Sequence, residues 1–260
     1  MLKGKCALVT GSSQGLGYAM AERLAAEGCN VVLNGFGEAG EIERKRRQLE
    51  ERHGVRALHH GADLADPGQI ASLVETAQQS FGAVDILINN AVIRHFAPLE
   101  TFRPEDWDKA LAVNLSAPFH ATRLVLAGMR ARDFGRIINI SSVYGLFGTV
   151  NRVDYVTTKT ALIGFTRAVA LETARTNITC NALCPGTVPT PNIEGRLAAE
   201  MAKSGQSRAD AERAFLASRQ PSGKFVAPER VAALVALLCG PAGADITGAA
   251  IPIDGGWSAS

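Results

Sequence analysis

Tyr155 and Lys159 stand four residues apart at the start of a helix-patterned stretch, a spacing that puts both side chains on one helix face. Ser142 lies upstream, at the end of an Ile-rich run, and Asn114 lies in a long helical stretch before that run. This set suits hydride transfer at an alcohol. A tyrosine acting as base must give up its proton, yet a free phenol has a pKa of about 10. A neighbouring ammonium favours the phenolate. A serine hydroxyl would hold the substrate oxygen, and an asparagine would anchor a water linking the lysine to solvent. Taken alone, a tyrosine and a lysine four apart are common on helices, and a half-buried structural tyrosine is the plainer reading.

A second feature changes the balance. Thr10-Gly11-Ser12-Ser13-Gln14-Gly15-Leu16-Gly17 follows the first apolar run and opens the first amphipathic one. Small residues there let the backbone approach a pyrophosphate, and a helix N-terminus supplies free N–H groups and a positive dipole end. Downstream, the second apolar run ends in Asn34-Gly35-Phe36-Gly37. It offers no Asp or Glu for the two ribose hydroxyls and no Arg or Lys for a 2′-phosphate. Arg44, Lys45, Arg46 and Arg47 come later, where a solvated helix face is expected. The balance is for NAD over NADP.

Strand-like runs alternate with amphipathic stretches along the whole chain. Strands are expected over residues 6–9, 31–33, 57–58, 86–88, 137–140, 178–183 and 250–253. Helices are expected over 16–27, 38–53, 69–81, 107–131, 153–175 and 228–239. Several strands are nearly continuous in Val, Ile and Leu, the mark of strands buried on both faces in a parallel sheet. Strand–helix–strand repetition implies right-handed crossovers and a doubly wound α/β sheet. No linker divides residues 1–260, which read as a single domain. The segment 190–225 breaks the rhythm: it is charged, helical in pattern and bracketed by Pro189, Pro191 and Pro221. Its position predicts a substrate lid over the carboxyl ends of the strands.

Composition narrows the partners. Apolar residues make up 47% of the 260, enough for a substantial core, so a disordered chain is excluded. A formal charge of +2 leaves no electrostatic footprint for nucleic acid or an anionic membrane. Cys6, Cys29, Cys180, Cys184 and Cys239 are odd in number, form no CxxC and sit in apolar contexts, as reduced core thiols do. His95 and His120 lack the spacing of metal ligands, and no metal is expected. His53, His59 and His60 read as ordinary structural residues. No apolar run is long enough to span a bilayer, and a soluble, cytoplasmic protein is expected.

The chain is identified as a member of the short-chain dehydrogenase/reductase superfamily by motifs spread over nearly its whole length. They are Thr10 to Gly17, Asp63-Leu64, Asn89-Asn90-Ala91, Asn114, Ile140-Ser141-Ser142, Tyr155 with Lys159, and Pro185-Gly186-Thr187-Val188-Pro189-Thr190. The resemblance implies a Rossmann-type fold with a seven-stranded sheet. It implies a catalytic set of Asn114, Ser142, Tyr155 and Lys159. It also implies a cofactor cleft formed by Gly11, Ser13, Gln14, Gly15, Leu16, Gly17 and Phe36 on one side. Asp63 and Leu64 would meet the adenine, Asn90 the ribose, and Pro185, Gly186, Val188 and Thr190 the carboxamide end. Tyr155 and Lys159 would touch the cofactor too. A homotetramer is implied, with Asp254-Gly255-Gly256-Trp257 near a subunit contact. One departure is Val92, where the family usually has Gly after Asn-Asn-Ala.

Within the family, residues 1–5, Val32 to Gly37, Gly61 to Leu64, Gln220-Pro221-Ser222 with Phe225-Val226, and Asp254 to Trp257 are similar to the bacterial D-3-hydroxybutyrate dehydrogenases. That group uses NAD despite its Asn-Gly-Phe-Gly turn. The likeness implies oxidation of D-3-hydroxybutyrate to acetoacetate. The substrate pocket departs from it. The group holds a small carboxylate with Gln, His, Lys and Gln; the corresponding places here are Arg94, Tyr144, Arg152 and Arg196, beside Ser142 and Tyr155. Thr187 stands where a Trp is usual. Arginines are forked, permanently charged donors, and a monocarboxylate does not need three. Two readings therefore stay open for the substrate, a small anionic hydroxy acid in either case. One is 3-hydroxybutyrate. The other is a more strongly anionic alcohol: a dicarboxylate, sulfonate, phosphonate or acidic sugar. A catalytically silent NAD-binding sensor is a third reading, against which the intact Ser142, Tyr155 and Lys159 speak.

Overall fold

The structure, a computed structural model, describes residues 2–260. Seven strands form one sheet: β1 (Cys6–Val9), β2 (Asn30–Asn34), β3 (Ala57–His60), β4 (Ile86–Asn89), β5 (Gly135–Ile140), β6 (Ile178–Pro185) and β7 (Ala250–Ile253). Their order is β3-β2-β1-β4-β5-β6-β7, and every neighbouring pair is parallel. β1, β4, β5 and β6 are buried along their whole length, which is why β1 and β4 read as near-continuous apolar runs; the polar Thr179 and Asn181 that alternate in β6 are buried with the rest.

Alternate residues of β1 serve opposite faces of the sheet, as the two-residue period requires. Ala7 and Val9 pack with Met20 and Leu24 of α1 (Gly15–Ala26) and with Val231, Val235 and Leu238 of α9 (Pro228–Cys239). Cys6 and Leu8 face Leu73 and Ala77 of α3 (Pro67–Phe81) and Ala121 and Val125 of α5 (Ala117–Ala131). The remaining helices are α2 (Ala39–His53), α4 (Pro104–Leu111), α6 (Val153–Thr173), α7 (Pro191–Ser204) and α8 (Arg208–Leu216). The last two fill the segment expected to be helical between β6 and α9. No helix among the described residues is long and apolar enough to cross a membrane.

Most element ends shift by one or two residues from the sequence expectation, and two differences have a clear physical cause. α3 begins at Pro67, because Asp66 caps it by accepting from the N–H groups of Gly68 and Gln69. A cap carries no apolar period and is invisible to that signal. The expected helix over 107–131 is two helices, α4 and α5, joined by a π-helical turn at Ala112–Ser116. The apolar stripe runs through this turn, so periodicity alone does not show it. Pro118 does carry a signal: it has no N–H to return to the carbonyl of Asn114, four residues back.

Candidate active site

Strand order reverses between β1 and β4, so the loops at their carboxyl ends part and open a crevice. The glycine loop forms one lip. Gly11, at φ +61, lies so close to Ala91 that a Cβ would come within 2.8 Å of its Cα. A Cβ on Gly17 would stand 2.1 Å from the Gly11 carbonyl oxygen, whereas Gly15, at φ +58, faces open space. Asn90 locks the loop in place. Its Nδ2 donates to the carbonyls of Thr10 and Gly11, both at 2.9 Å, and its N–H donates to Thr10 Oγ1.

Gln14, at the N-cap of α1, makes no side-chain cap, and the first turn holds no acidic residue. The helix therefore presents unsatisfied N–H groups and an unneutralised positive end. These features fit a pyrophosphate. Gly17→Ala is expected to lower Tm and weaken NADH binding at least tenfold, because the new methyl meets a backbone carbonyl rather than a flexible side chain. Thermal unfolding and a fluorescence titration check it; wild-type behaviour in both would contradict the packing described here.

The rest of the cleft is built around this lip. Leu64, Ala91 and Val113 line an apolar hollow beside Thr10 and Asn89. Asp63 stands half-buried next to it, accepting from Ala65 N–H. On the second lip, Gly186 donates to Ile253 O at 3.0 Å. Thr187 N–H donates to Oε1 of buried Gln220 at 2.8 Å. Thr190 caps α7 by accepting from Ile193 N–H, and Val188 packs against the core from β6's end. Pro185 ends β6 in full burial. Gln220 belongs to the Gln220-Pro221-Ser222 motif of the resemblance, but its contact with Thr187, 33 residues away, is not marked by any local pattern.

At the end of β2 the Asn34 side chain is spent on the scaffold. It accepts from Gly11 N–H and donates to the carbonyls of His60 and Ala62. Ser13 Oγ donates to Phe36 O, and the Phe36 ring is 67% exposed beside the glycine loop. Arg44, Arg46 and Arg47 pair with Glu41 and Glu43 on the face of α2, as expected of a solvated face. Lys45 departs from that expectation: its Nζ folds back to Ser13 O at 2.9 Å, with Glu41 at 3.5 Å.

The catalytic candidates meet at the carboxyl ends of β4 and β5. Tyr155 and Lys159 sit one turn apart on α6, with Lys159 Nζ 5.7 Å from the tyrosine ring centroid. Both are buried, and Lys159 is almost wholly so. Its ammonium donates to Ile140 O at 2.6 Å. Burial first, and then the charge of Arg94, push the Lys159 pKa down from 10.5 to about 7. Ser141 Oγ donates to Lys159 O at 2.7 Å and docks α6 onto the end of β5. Ser142 follows it, buried, its Oγ accepting from Tyr144 N–H. Asn114 lies in the π turn with its amide already engaged. Oδ1 accepts from Ile93 N–H, and Nδ2 donates to Ile93 O and Thr158 Oγ1.

The candidate substrate residues divide. The Arg152 guanidinium lies 4.7 Å from the Tyr155 ring centroid, 4.2 Å from Phe96 and 5.4 Å from Tyr144. Arg94 lies 5.8 Å from the Tyr155 ring. Tyr144 meets Tyr155 edge-on and packs against Trp257. Arg196 is placed elsewhere: its guanidinium stacks 5.3 Å from the Phe215 ring of α8. One functional pair escaped the sequence reading. Fully buried Asp154 accepts from Tyr155 N–H and from both the backbone N–H and Nδ1 of His95. His95, expected to have no metal role, is a structural pin between two site segments 59 residues apart.

A doubly wound parallel sheet with a glycine lip, and a Ser–Tyr–Lys set across the cleft from it, defines an oxidoreductase that acts on CH–OH groups with a nicotinamide dinucleotide. A short chain dehydrogenase family model matches residues 5–200, and the chain belongs to that family. The chain is similar to a D-beta-hydroxybutyrate dehydrogenase of Cupriavidus necator, 44% identical over 259 residues and covering 100% of both chains. A D-beta-hydroxybutyrate dehydrogenase of Rhizobium meliloti is 39% identical, over 98% of this chain and 99% of its own. Among solved structures, L-sorbose reductase from Gluconobacter frateurii, complexed with NADPH and L-sorbose, superposes with a TM-score of 0.92. It is 31% identical and covers 99% of this chain and 98% of its own.

Proposed function

We propose that this protein catalyses the NAD-dependent oxidation of a short 3-hydroxy acid to its 3-oxo acid, with D-3-hydroxybutyrate to acetoacetate as the reference reaction. The observation that carries it is the placement of arginine side chains beside the Tyr155 ring, which puts an anion site next to the proton-transfer group. The names of the two hydroxybutyrate dehydrogenase relatives support the same substrate class. The hydride acceptor is supplied by the dinucleotide when bound. Tyr155 takes the hydroxyl proton, and Ser142 Oγ orients the substrate oxygen. Lys159 places a positive charge behind the tyrosine. Asn114 uses its side chain to hold Ile93, so any water it anchors sits at its main-chain carbonyl, whose ordinary helical donor Pro118 lacks.

The cofactor preference is read from the β2 turn. The Asn34 amide is committed to backbone groups, and Lys45 is held by Glu41 and Ser13 O. The cation that reaches the glycine loop, Lys45, is thus already engaged, which favours NAD. A single domain over 1–260, a lid over 190–225 made by α7 and α8, a homotetramer and a cytoplasmic setting complete the proposal. The test is nicotinamide absorbance with D-3-hydroxybutyrate, run with NAD and NADP in parallel. Turnover with at least tenfold preference for NAD is expected. A preference for NADP would overturn the cofactor assignment, and no turnover with either would overturn the substrate assignment. NAD binding with no oxidation of any alcohol in a broad panel would instead favour a silent sensor.

A further inference from the structure

Arg94 and Arg152 approach one aromatic ring from separate segments, one from the loop after β4 and the other from the residue before α6. Like charges converging in a cleft repel unless something compensates them. No carboxylate pairs with them directly: among the described residues, no ion pair includes either guanidinium, and Asp154 acts on Arg152 only from a distance. The acid nearest in sequence, Asp154, has its oxygens turned to His95 and to Tyr155 N–H. Arg152 Nε is buried with no hydrogen-bond partner. Burial, with Arg94 facing it, holds the Arg152 pKa below its ordinary value.

The arrangement is built rather than incidental. Ile93, before Arg94, is clamped by Asn114 through both its N–H and its carbonyl. His95, after it, is clamped by Asp154. Arg152 lies against the rings of Phe96, Tyr144 and Tyr155, which limit where its fork can point. A monocarboxylate brings one charge and satisfies one fork; Arg94, which is exposed, is then left with solvent as its only partner.

We propose that the preferred substrate carries two negative charges at its acid end, as a hydroxyalkyl phosphonate or a hydroxyalkyl malonate does, and that Arg94 and Arg152 share them. This rests on the reading of the site as a hydroxy-acid dehydrogenase using a dinucleotide, and narrows it. Arg196, stacked on Phe215, is not needed for it.

The test compares kcat/KM for four substrates with the same carbinol: 3-hydroxybutyrate, (2-hydroxypropyl)sulfonate, (2-hydroxypropyl)phosphonate above its second ionisation, and (1-hydroxyethyl)malonate. At least one dianion is expected to exceed 3-hydroxybutyrate by about tenfold or more, one charged hydrogen-bonded contact being worth that much. The sulfonate has the phosphonate's shape with one charge and is expected to match 3-hydroxybutyrate. Phosphonate ahead of malonate, or the reverse, identifies the source of the two charges. Arg94→Gln is expected to cost the dianion about 10- to 100-fold, mainly in KM, and to cost 3-hydroxybutyrate about tenfold less than that; Arg94→Lys is expected to retain part of the preference.

Faster turnover of 3-hydroxybutyrate than of both dianions would overturn the proposal and leave the hydroxy-acid reading standing. So would equal losses for both charge classes in Arg94→Gln. If no hydroxy acid is oxidised, the parent reading falls. Binding of ethylphosphonate against propionate to the NADH complex then decides the arginine pair on its own. A tenfold preference for the phosphonate that Arg94→Gln removes supports it, and equal affinities overturn it.

Discussion

Tyr155→Phe is expected to lower kcat for hydroxy-acid oxidation about 10³-fold, while NADH affinity stays within about threefold of wild type. The change removes one oxygen and keeps the ring. That ring supports Arg152 at 4.7 Å and Arg94 at 5.8 Å and meets Tyr144 edge-on, so the packing around both arginines is kept. What disappears is the phenol proposed to take the hydroxyl proton; Lys159, on the same face, keeps its Nζ on Ile140 O. Ser142 does not replace it, because its Oγ already accepts from Tyr144 N–H at the end of β5 and has no base of its own beside it. The decisive measurement is kcat together with a direct NADH titration. A Phe variant retaining a tenth of wild-type turnover would remove Tyr155 from the mechanism. A variant that loses dinucleotide binding as well would show that the hydroxyl serves the cleft rather than the chemistry.

Lys159→Met is the second large effect, and it acts in opposite directions on activity and stability. Turnover is expected to fall by at least about 10²-fold, since the charge behind Tyr155 is gone. Stability at pH 6 is expected to rise. The folded chain holds the Lys159 proton less tightly than the unfolded chain does, with a pKa of about 7 against 10.5. Between those values the unfolded state binds more protons, so wild-type stability rises with pH across the window, and the full cost of burying the cation is felt below pH 7. That cost is about 5 kcal/mol at 1.4 kcal/mol per pH unit. Methionine escapes it but leaves Ile140 O without its lysine donor, a loss of about 1–3 kcal/mol. The net gain corresponds to a Tm roughly 5 °C higher at pH 6. Near pH 10 the gain is expected to vanish, because the buried amine is neutral in the folded protein and close to its titration point in the unfolded one. Thermal unfolding of both proteins without ligand at pH 6 and pH 10 is the check, and a pH-independent difference would refute the account.

Local signals in the chain carried much of the architecture. Seven apolar runs became seven strands, and their lack of alternation correctly announced a sheet covered on both faces. The glycine loop was legible because each glycine answers a backbone constraint within a few residues or across one strand pair. Gly11 must pass Ala91, and Gly17 must pass Gly11. Tyr155 and Lys159 were legible because helix geometry alone places residues four apart together. The π turn was missed because its apolar stripe continues unbroken, although Pro118 marked it.

By itself, then, the sequence determined the alternation of strand and helix, the glycine lip and the tyrosine–lysine pair, all of which follow from short-range geometry. Tertiary structure alone decided which arginines belong to the site. Arg94, Arg152 and Arg196 are alike in type. Strand order and two side-chain clamps bring the first two to Tyr155, while a helix of the 190–225 segment stacks the third on Phe215. It also decided that Asp154 and His95, 59 residues apart, hold that pair in register, and that Lys159 lies in a site dry enough to lower its pKa. Charge and residue type are local properties. Convergence and desolvation depend on which distant segments fold against one another.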